Sequence, residues 1–300
     1  MTEPAKKTIN QIVRKIEEIP TLPVISKRIM ELLHDEDVPT SKICKLIEQD
    51  LSITTRILKI ANSPFYRTLN TITSINHALT FLGLTEVKGI LAGISIHNFF
   101  PPGTKASRFN REKFWAHSVV CSQIAKLLAQ YFSVEDDGSL FLSGLIHDMG
   151  KVVFDVYFNE EFCRIVDYVA SEKVTFSQAE KHIVGVTHYQ IAATLLQQWH
   201  IPKKIIYQVF YHHAPWQDKT HPSGSCLIYL ANIFAKLAGF PASVVEQQLE
   251  PATAIDQATL DYLAKSGFEL DTRTIDNLLV QIHQLVIEDS HNILSFFEQN

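Results

Sequence analysis

Apolar residues recur at three- and four-residue intervals along almost the whole chain, and almost no segment alternates apolar and polar positions as a strand does. That pattern predicts an all-α protein. Ile9, Ile12, Val13 and Ile16 make one face of a first helix, stopped by Pro20 and Pro23. Ile25, Ile29, Leu32 and Leu33 line the next. Ile43, Leu46 and Ile47 line a third, with Thr40 as its expected cap. Asp50 is placed to cap a fourth, which carries Ile53, Ile57 and Leu58 and ends at Asn62-Ser63-Pro64. Ile75, Ala78, Leu79 and Leu82 run up to Gly83, a residue that accepts the left-handed backbone of a helix end. Another apolar helix spans about Thr85 to Phe100.

Pro101-Pro102-Gly103 is the strongest break and the expected boundary between two helical halves. The expected division is 1–103 for the first half, 104–240 for the second and 241–300 for a C-terminal extension that packs back on the core. Past the break, helices are expected around Trp115 to Tyr131, Leu140 to Val153 and Phe158 to Ala170. Ser177 with Glu180, and Thr187 with Gln190, have capping-box spacing. Pro202 suits the first turn of the helix that reaches Tyr211-His212-His213. Helices from about Ser225 to Ala238, near Leu260, and from about Thr272 to Phe297 complete a multi-helix bundle in two packed halves.

With 300 residues and 46% of them apolar, the chain has ample material for a core and reads as globular rather than disordered. A net charge of -5 gives no basic footprint, which argues against nucleic acid or an anionic membrane as a partner. No apolar run reaches the ~20 residues of a membrane span, and none near the start resembles a signal peptide. Cys44, Cys121, Cys163 and Cys226 are scattered and form no C-x-x-C pair, so they read as core thiols of a reducing compartment. A cytoplasmic location is the expectation. The sequence leaves the oligomeric state open.

The chemistry centres on Gly144-Leu145-Ile146-His147-Asp148-Met149-Gly150-Lys151. An imidazole and a carboxylate side by side in an apolar helix are costly to bury unless each finds a partner. A metal ion satisfies both, and so does a hydrogen-bonded polar pair between helices. His117 lies on another apolar stretch, His188 begins a helix after Thr187, and His212-His213 closes one. Histidine is frequent in this chain, so order and context carry the argument rather than number.

The succession His117, His147-Asp148 with Lys151, His188, His212-His213 and the Asn232 segment resembles the ligand series of HD-superfamily metal phosphohydrolases. It is most similar to the HD-GYP branch, which binds two metals and hydrolyses cyclic dinucleotides. The resemblance implies one metal among His117, His147, Asp148 and Asn232. It implies a second, bridged by Asp148 and held by His188, His212 and His213, with Lys151 near a phosphate or the attacking water. One or two transition-metal ions are implied, iron or manganese first and zinc as the alternative. In the first half, Ile19-Pro20-Thr21-Leu22-Pro23, the segment from Ile47 to Ser63 and the segment from Ile75 to Gly83 resemble the HDOD family, a signalling relative of those enzymes. Arg56 and Asn62-Ser63 in that half are read as residues that cap and staple helices.

Three departures separate the chain from active relatives. Asn232 stands where the superfamily has its last metal-binding aspartate, Ala214 stands where a glutamate commonly follows the paired histidines, and no Gly-Tyr-Pro is present. The resemblance therefore implies a regulatory signal-transduction module that keeps a metal site without catalysis. Its implied partners are bacterial signalling proteins such as GGDEF or EAL enzymes, with a nucleotide or phosphate as a candidate ligand. The alternative is a metal-dependent phosphodiesterase acting on cyclic dinucleotides or nucleotides, with Lys151 as its catalytic lysine.

Overall fold

The computed structural model describes residues 38–63, 70–101, 109–243 and 249–295, with positions 19, 28, 31, 66 and 245. The two helices expected before residue 38, and Pro102-Gly103 of the expected boundary, lie outside them. Among the described residues there is no strand. The all-α expectation holds.

The N-terminal half contains α1 (Thr40–Glu48), α2 (Leu51–Ala61), α3 (Ile75–Leu82) and α4 (Leu84–Phe99). Asp50 caps α2 as expected, its carboxylate accepting from the backbone N–H groups of Ser52 and Ile53, a contact worth about 1 kcal/mol. Thr40 does not cap α1. It is the first helical residue, and Pro39 occupies the N-cap without a side-chain bond. Asn62 pins the chain after α2: its amide donates to Ile72 O at 2.8 Å, and Ile72 N–H donates back at 2.7 Å. The stapling expected of this residue is therefore observed.

The second half contains α5 (Arg111–Tyr131), α6 (Ser139–Ile146), α7 (Met149–Tyr157), α8 (Asn159–Glu172), α9 (Phe176–Ile183), α10 (His188–Gln198), α11 (Lys203–Tyr211) and α12 (Pro222–Leu237). The extension adds α13 (Gln257–Lys265) and α14 (Thr272–Ser295). Helix α5 is the axis: it packs against α6, α12 and α14, and its residues from Phe114 to Ala125 are buried on every face. Helix α4 bridges the halves by packing on α6. Glu86 of α4 pairs with Lys126 of α5 at 2.7 Å and accepts a short hydrogen bond from Tyr66. One continuous set of buried side chains runs from Ile19 to Ile282. Leu278 and Ile282 of α14 are buried in this core, and α14 packs on α5 and α12.

Three local expectations are corrected. The predicted single helix from Leu140 to Val153 is two, α6 and α7, because Asp148 (φ -100°, ψ 6°) leaves the helical region. The capping box at the start of α9 is formed by Thr175 and Gln178 rather than Ser177 and Glu180. Pro202 is the N-cap of α11 instead of a first-turn residue. The box of Thr187 and Gln190 forms as expected, with Thr187 N–H donating to Gln190 Oε1 at 2.9 Å. Among the described residues no single helix is long and apolar enough to cross a membrane.

Candidate metal centre

The break after Ile146 explains how adjacent residues serve one pocket. Within a helix, neighbours point about 100° apart. At the junction of α6 and α7, His147 and Asp148 instead turn to the same side, with His147 Nε2 3.5 Å from Asp148 Oδ2. The other candidate residues lie at helix ends, on α5 or, for Asn232, on α12. His188 is the first residue of α10, and His212 and His213 follow the last turn of α11. Two close crossings bring these ends together. A Cβ on Gly144 would meet Ser122 Cα of α5 at 2.6 Å, and one on Gly150 would meet His188 O at 2.0 Å, so glycine alone permits both approaches.

The hydrogen bonds fix the tautomers. His117 Nδ1 donates to Phe240 O at 2.6 Å, His147 Nδ1 to Gly144 O at 2.7 Å, and His212 Nδ1 to Val209 O at 2.6 Å. A carbonyl oxygen only accepts, so each Nδ1 carries the proton. Each Nε2 is then a lone pair in the neutral ring. His188 Nδ1 donates to the Glu180 carboxylate at 2.8 Å, which also accepts from His188 N–H at 3.0 Å. This outer support of each imidazole is what metal-ligating histidines require.

The Nε2 atoms converge. His117 and His147 face each other at 3.4 Å, His188 and His212 at 3.4 Å, and His213 and His188 at 3.1 Å. Asp148 Oδ1 lies 3.0 Å from His188 Nε2 and 3.4 Å from His212 Nε2, without being aligned for a hydrogen bond with either. Its Oδ2 takes the Lys151 ammonium at 2.7 Å. Ligand atoms of Asp148, His188, His212 and His213 lie within 4.8 Å of one another, and so do those of His117, Cys121 and His147. Except for His213, which is partly exposed, all are buried. Acceptors pressed together out of water repel unless a cation lies between them. Both clusters fit a metal ion by that test.

Asn232, the remaining expected ligand, is buried on α12, which packs along α5, and its Oδ1 accepts no hydrogen bond. Two residues escaped the sequence reading. Cys121 sits one turn after His117, with Sγ 3.5 Å from His117 Nε2; the i, i+4 spacing was its only signal. Glu180 orients His188 from a position where the sequence suggested a cap.

Titration follows from these contacts. Burial pushes Asp148 up, but Lys151, then His147 and His188, hold it well below the usual carboxylate range. Burial pulls His188 down, and Glu180 and Asp148 more than reverse it, to about 8. Burial takes His212 down to about 3 and, aided by His212 and His188, lowers His213 as well. In the metal-free protein a proton on His188 thus stabilises the fold at low pH, and that contribution fades as pH rises through about 8. A metal held by His188 Nε2 would have to displace that proton. The apparent affinity for the ion at His188 should therefore climb about tenfold per pH unit below 8 and level off above it. Competition titrations from mildly acid to alkaline pH measure the slope, and a flat profile would remove His188 from the ligand set.

An all-helical fold with a His-Asp step at a helix junction and imidazoles gathered around it defines an HD-type protein. The family model described as the HDOD domain matches residues 19–215, and the chain belongs to that family. The structure of an HDOD domain protein from Geobacter sulfurreducens superposes with a TM-score of 0.80, at 25% identity and over 99% of both chains. A provisional phosphohydrolase from Shewanella amazonensis superposes at 0.73, with 16% identity over 96% of this chain and 98% of that one. A provisional signal transduction protein from Marinobacter aquaeolei does so at 0.72, with 20% identity over 98% of this chain and 66% of that one. These last two likenesses speak for the fold. An uncharacterized protein of Treponema pallidum is 25% identical over 210 residues, 69% of this chain and 40% of that protein. The chain thus spans less than half of that relative.

Proposed function

We propose that the chain is a regulatory HDOD module built around a working HD-type metal centre. The observation that carries this reading is the inward set of Nε2 atoms, each turned to the pocket by an Nδ1–H donated to an acceptor behind it. His117, His147, Asp148 and Asn232 would hold one ion. Asp148, His188, His212 and His213 would hold the other, with iron or manganese as the first choice and zinc as the alternative. When bound, the ions supply positive charge to the facing lone pairs and a Lewis-acidic site for a phosphate oxygen. The chain itself orients the imidazoles and neutralises Asp148 through Lys151. Because the ligands come from α5, α6, α7, α10, α11 and α12, metal ties the second half together. Its partners would be signalling proteins such as GGDEF or EAL enzymes.

Metal binds the folded form alone, so removing it should lower the melting temperature. A thousandfold excess over Kd contributes about 4 kcal/mol. At about 2–4 °C per kcal/mol, chelation should cost on the order of 10 °C. Elemental analysis with thermal melts before and after chelation tests this. Metal-poor protein whose melting is indifferent to chelator would sink the proposal.

One feature favours the phosphohydrolase reading. A cleft of about 770 Å³ reaches the centre at Lys151 and His213 and is edged by Lys173, Lys181, Lys236 and Tyr189. Cations beside an aromatic ring suit a nucleotide or another phosphate ester. Incubating the metal-loaded protein with cyclic dinucleotides separates the readings: binding without turnover supports regulation, and hydrolysis supports the enzyme.

A further inference from the structure

Without Cys121, the first cluster would offer a cation little negative charge. Its two imidazoles carry no negative charge, and Asn232 supplies only an amide. The nearest Asp148 oxygen, Oδ2, is already paired with Lys151 at 2.7 Å. A buried divalent ion held by such a set would lack the anionic ligand that normally offsets its desolvation. Cys121 stands at this point of the fold. It is fully buried, its Sγ is 3.5 Å from His117 Nε2, and its ligand atom lies within 4.8 Å of those of His117 and His147. Helix α5 brings it there, because residues four apart share a face. The crossing at Gly144, where an added Cβ would come within 3.1 Å of the Cys121 carbonyl carbon, holds the end of α6 and His147 against it.

Resting on the reading of this centre as metal-binding, we propose that the Cys121 thiolate is the anionic ligand of the first ion, standing in for the carboxylate that Asn232 lacks. On binding, the S–H bond breaks, its proton leaves to solvent, and a sulfur–metal bond forms; nothing is oxidised or reduced. The two sites then differ in kind. His117, Cys121 and His147 form a soft set of two imidazole nitrogens and one sulfur, suited to zinc or another thiophilic ion. Asp148 with His188, His212 and His213 forms a harder set that accepts iron or manganese. The centre is in this view heterometallic, and the first ion is held by a thiolate in a closed, dry environment, as structural zinc is.

Cobalt(II) loaded into the chelated full-length protein reads both halves of this statement. Visible d–d bands report bound cobalt, and a thiolate-to-cobalt charge-transfer band in the near ultraviolet reports sulfur. Wild-type protein should show both. Cys121→Ser should lose the charge-transfer band, keep d–d bands from the second site and bind the first ion at least tenfold more weakly. Cys226→Ser, which alters the other buried cysteine, should keep both. Zinc-edge X-ray absorption of wild-type protein needs no variant and should show one sulfur at about 2.3 Å. Bound cobalt without a charge-transfer band, or zinc without sulfur, overturns the role of Cys121 and leaves the metal centre standing. Failure to bind either ion overturns both.

Discussion

Asp148→Asn should yield protein that does not bind the second ion and, compared metal-free with wild type, is less stable by about 3–5 kcal/mol. The substitution keeps the shape and removes one charge. Lys151, 1% exposed, then loses its 2.7 Å partner, and His188 loses one of the two carboxylates that sustain its proton. Taking a counter-charge from a buried ammonium costs more than the original pair contributes, so much of the loss falls on Lys151. The double variant Asp148→Asn with Lys151→Met removes the buried ammonium and should recover much of the stability without recovering the second ion. The pH dependence has a definite sign. The folded-state pKa of Asp148 is depressed, so its contribution is present above the ordinary carboxylate pKa of about 3.9. It is lost as pH falls towards the depressed value. The gap between wild type and variant should therefore persist through neutral and mildly acid pH. Urea melts of chelated proteins, paired with metal analysis, measure these effects. An Asp148→Asn protein that binds the second ion and has wild-type stability would show that neither that ion nor Lys151 depends on this carboxylate.

The sequence declared the helices because their signals are local. The apolar faces of α3, α5 and α14, the Asp50 cap and the Thr187 capping box need only residues within a turn of one another. Helix termini were harder, and the centre is made of termini. His147-Asp148 looked like part of one continuous helix, yet it functions by interrupting one. The interruption depends on how α6 and α7 each pack: α6 on α5, α7 on α10. Glu180 illustrates the same limit. Its spacing to Ser177 suggested a cap, whereas its carboxylate reaches eight residues along the chain to His188. The family resemblance supplied what periodicity could not, namely which of many histidines belong together. It also directed attention to carboxylates and imidazoles, and so away from Cys121, whose position beside His117 is a property of this chain's own α5.

Gly150→Ala should uncouple the centre through the backbone alone. In an exposed helix the change would stabilise by about 1 kcal/mol, because alanine is the better helix former. Here the new Cβ would lie 2.0 Å from His188 O, 2.6 Å from its C and 2.8 Å from its Cα. All three are backbone atoms at the first residue of α10, and no rotamer change can relieve them. Helix α10 has to retreat from α7 by more than an ångström, carrying His188 away from Asp148 and stretching a 3.0 Å contact. Overpacking of this kind costs about 1–3 kcal/mol, occasionally more. Displacing a ligand should also weaken metal binding by about 10–100-fold, the scale seen when the support of a ligand is disturbed. Gly93→Ala is the matched control, since its Cβ would meet the end of the Leu145 side chain at 2.3 Å, where a rotamer can yield. It should lose less stability and keep full metal affinity. Thermal melts and metal titrations on the two variants distinguish a general loss of packing from a specific loss of ligand geometry. Equal metal affinity in both would mean that the approach of α10 to α7 does not set the position of His188, and the second ion's ligand set would have to be redrawn without it.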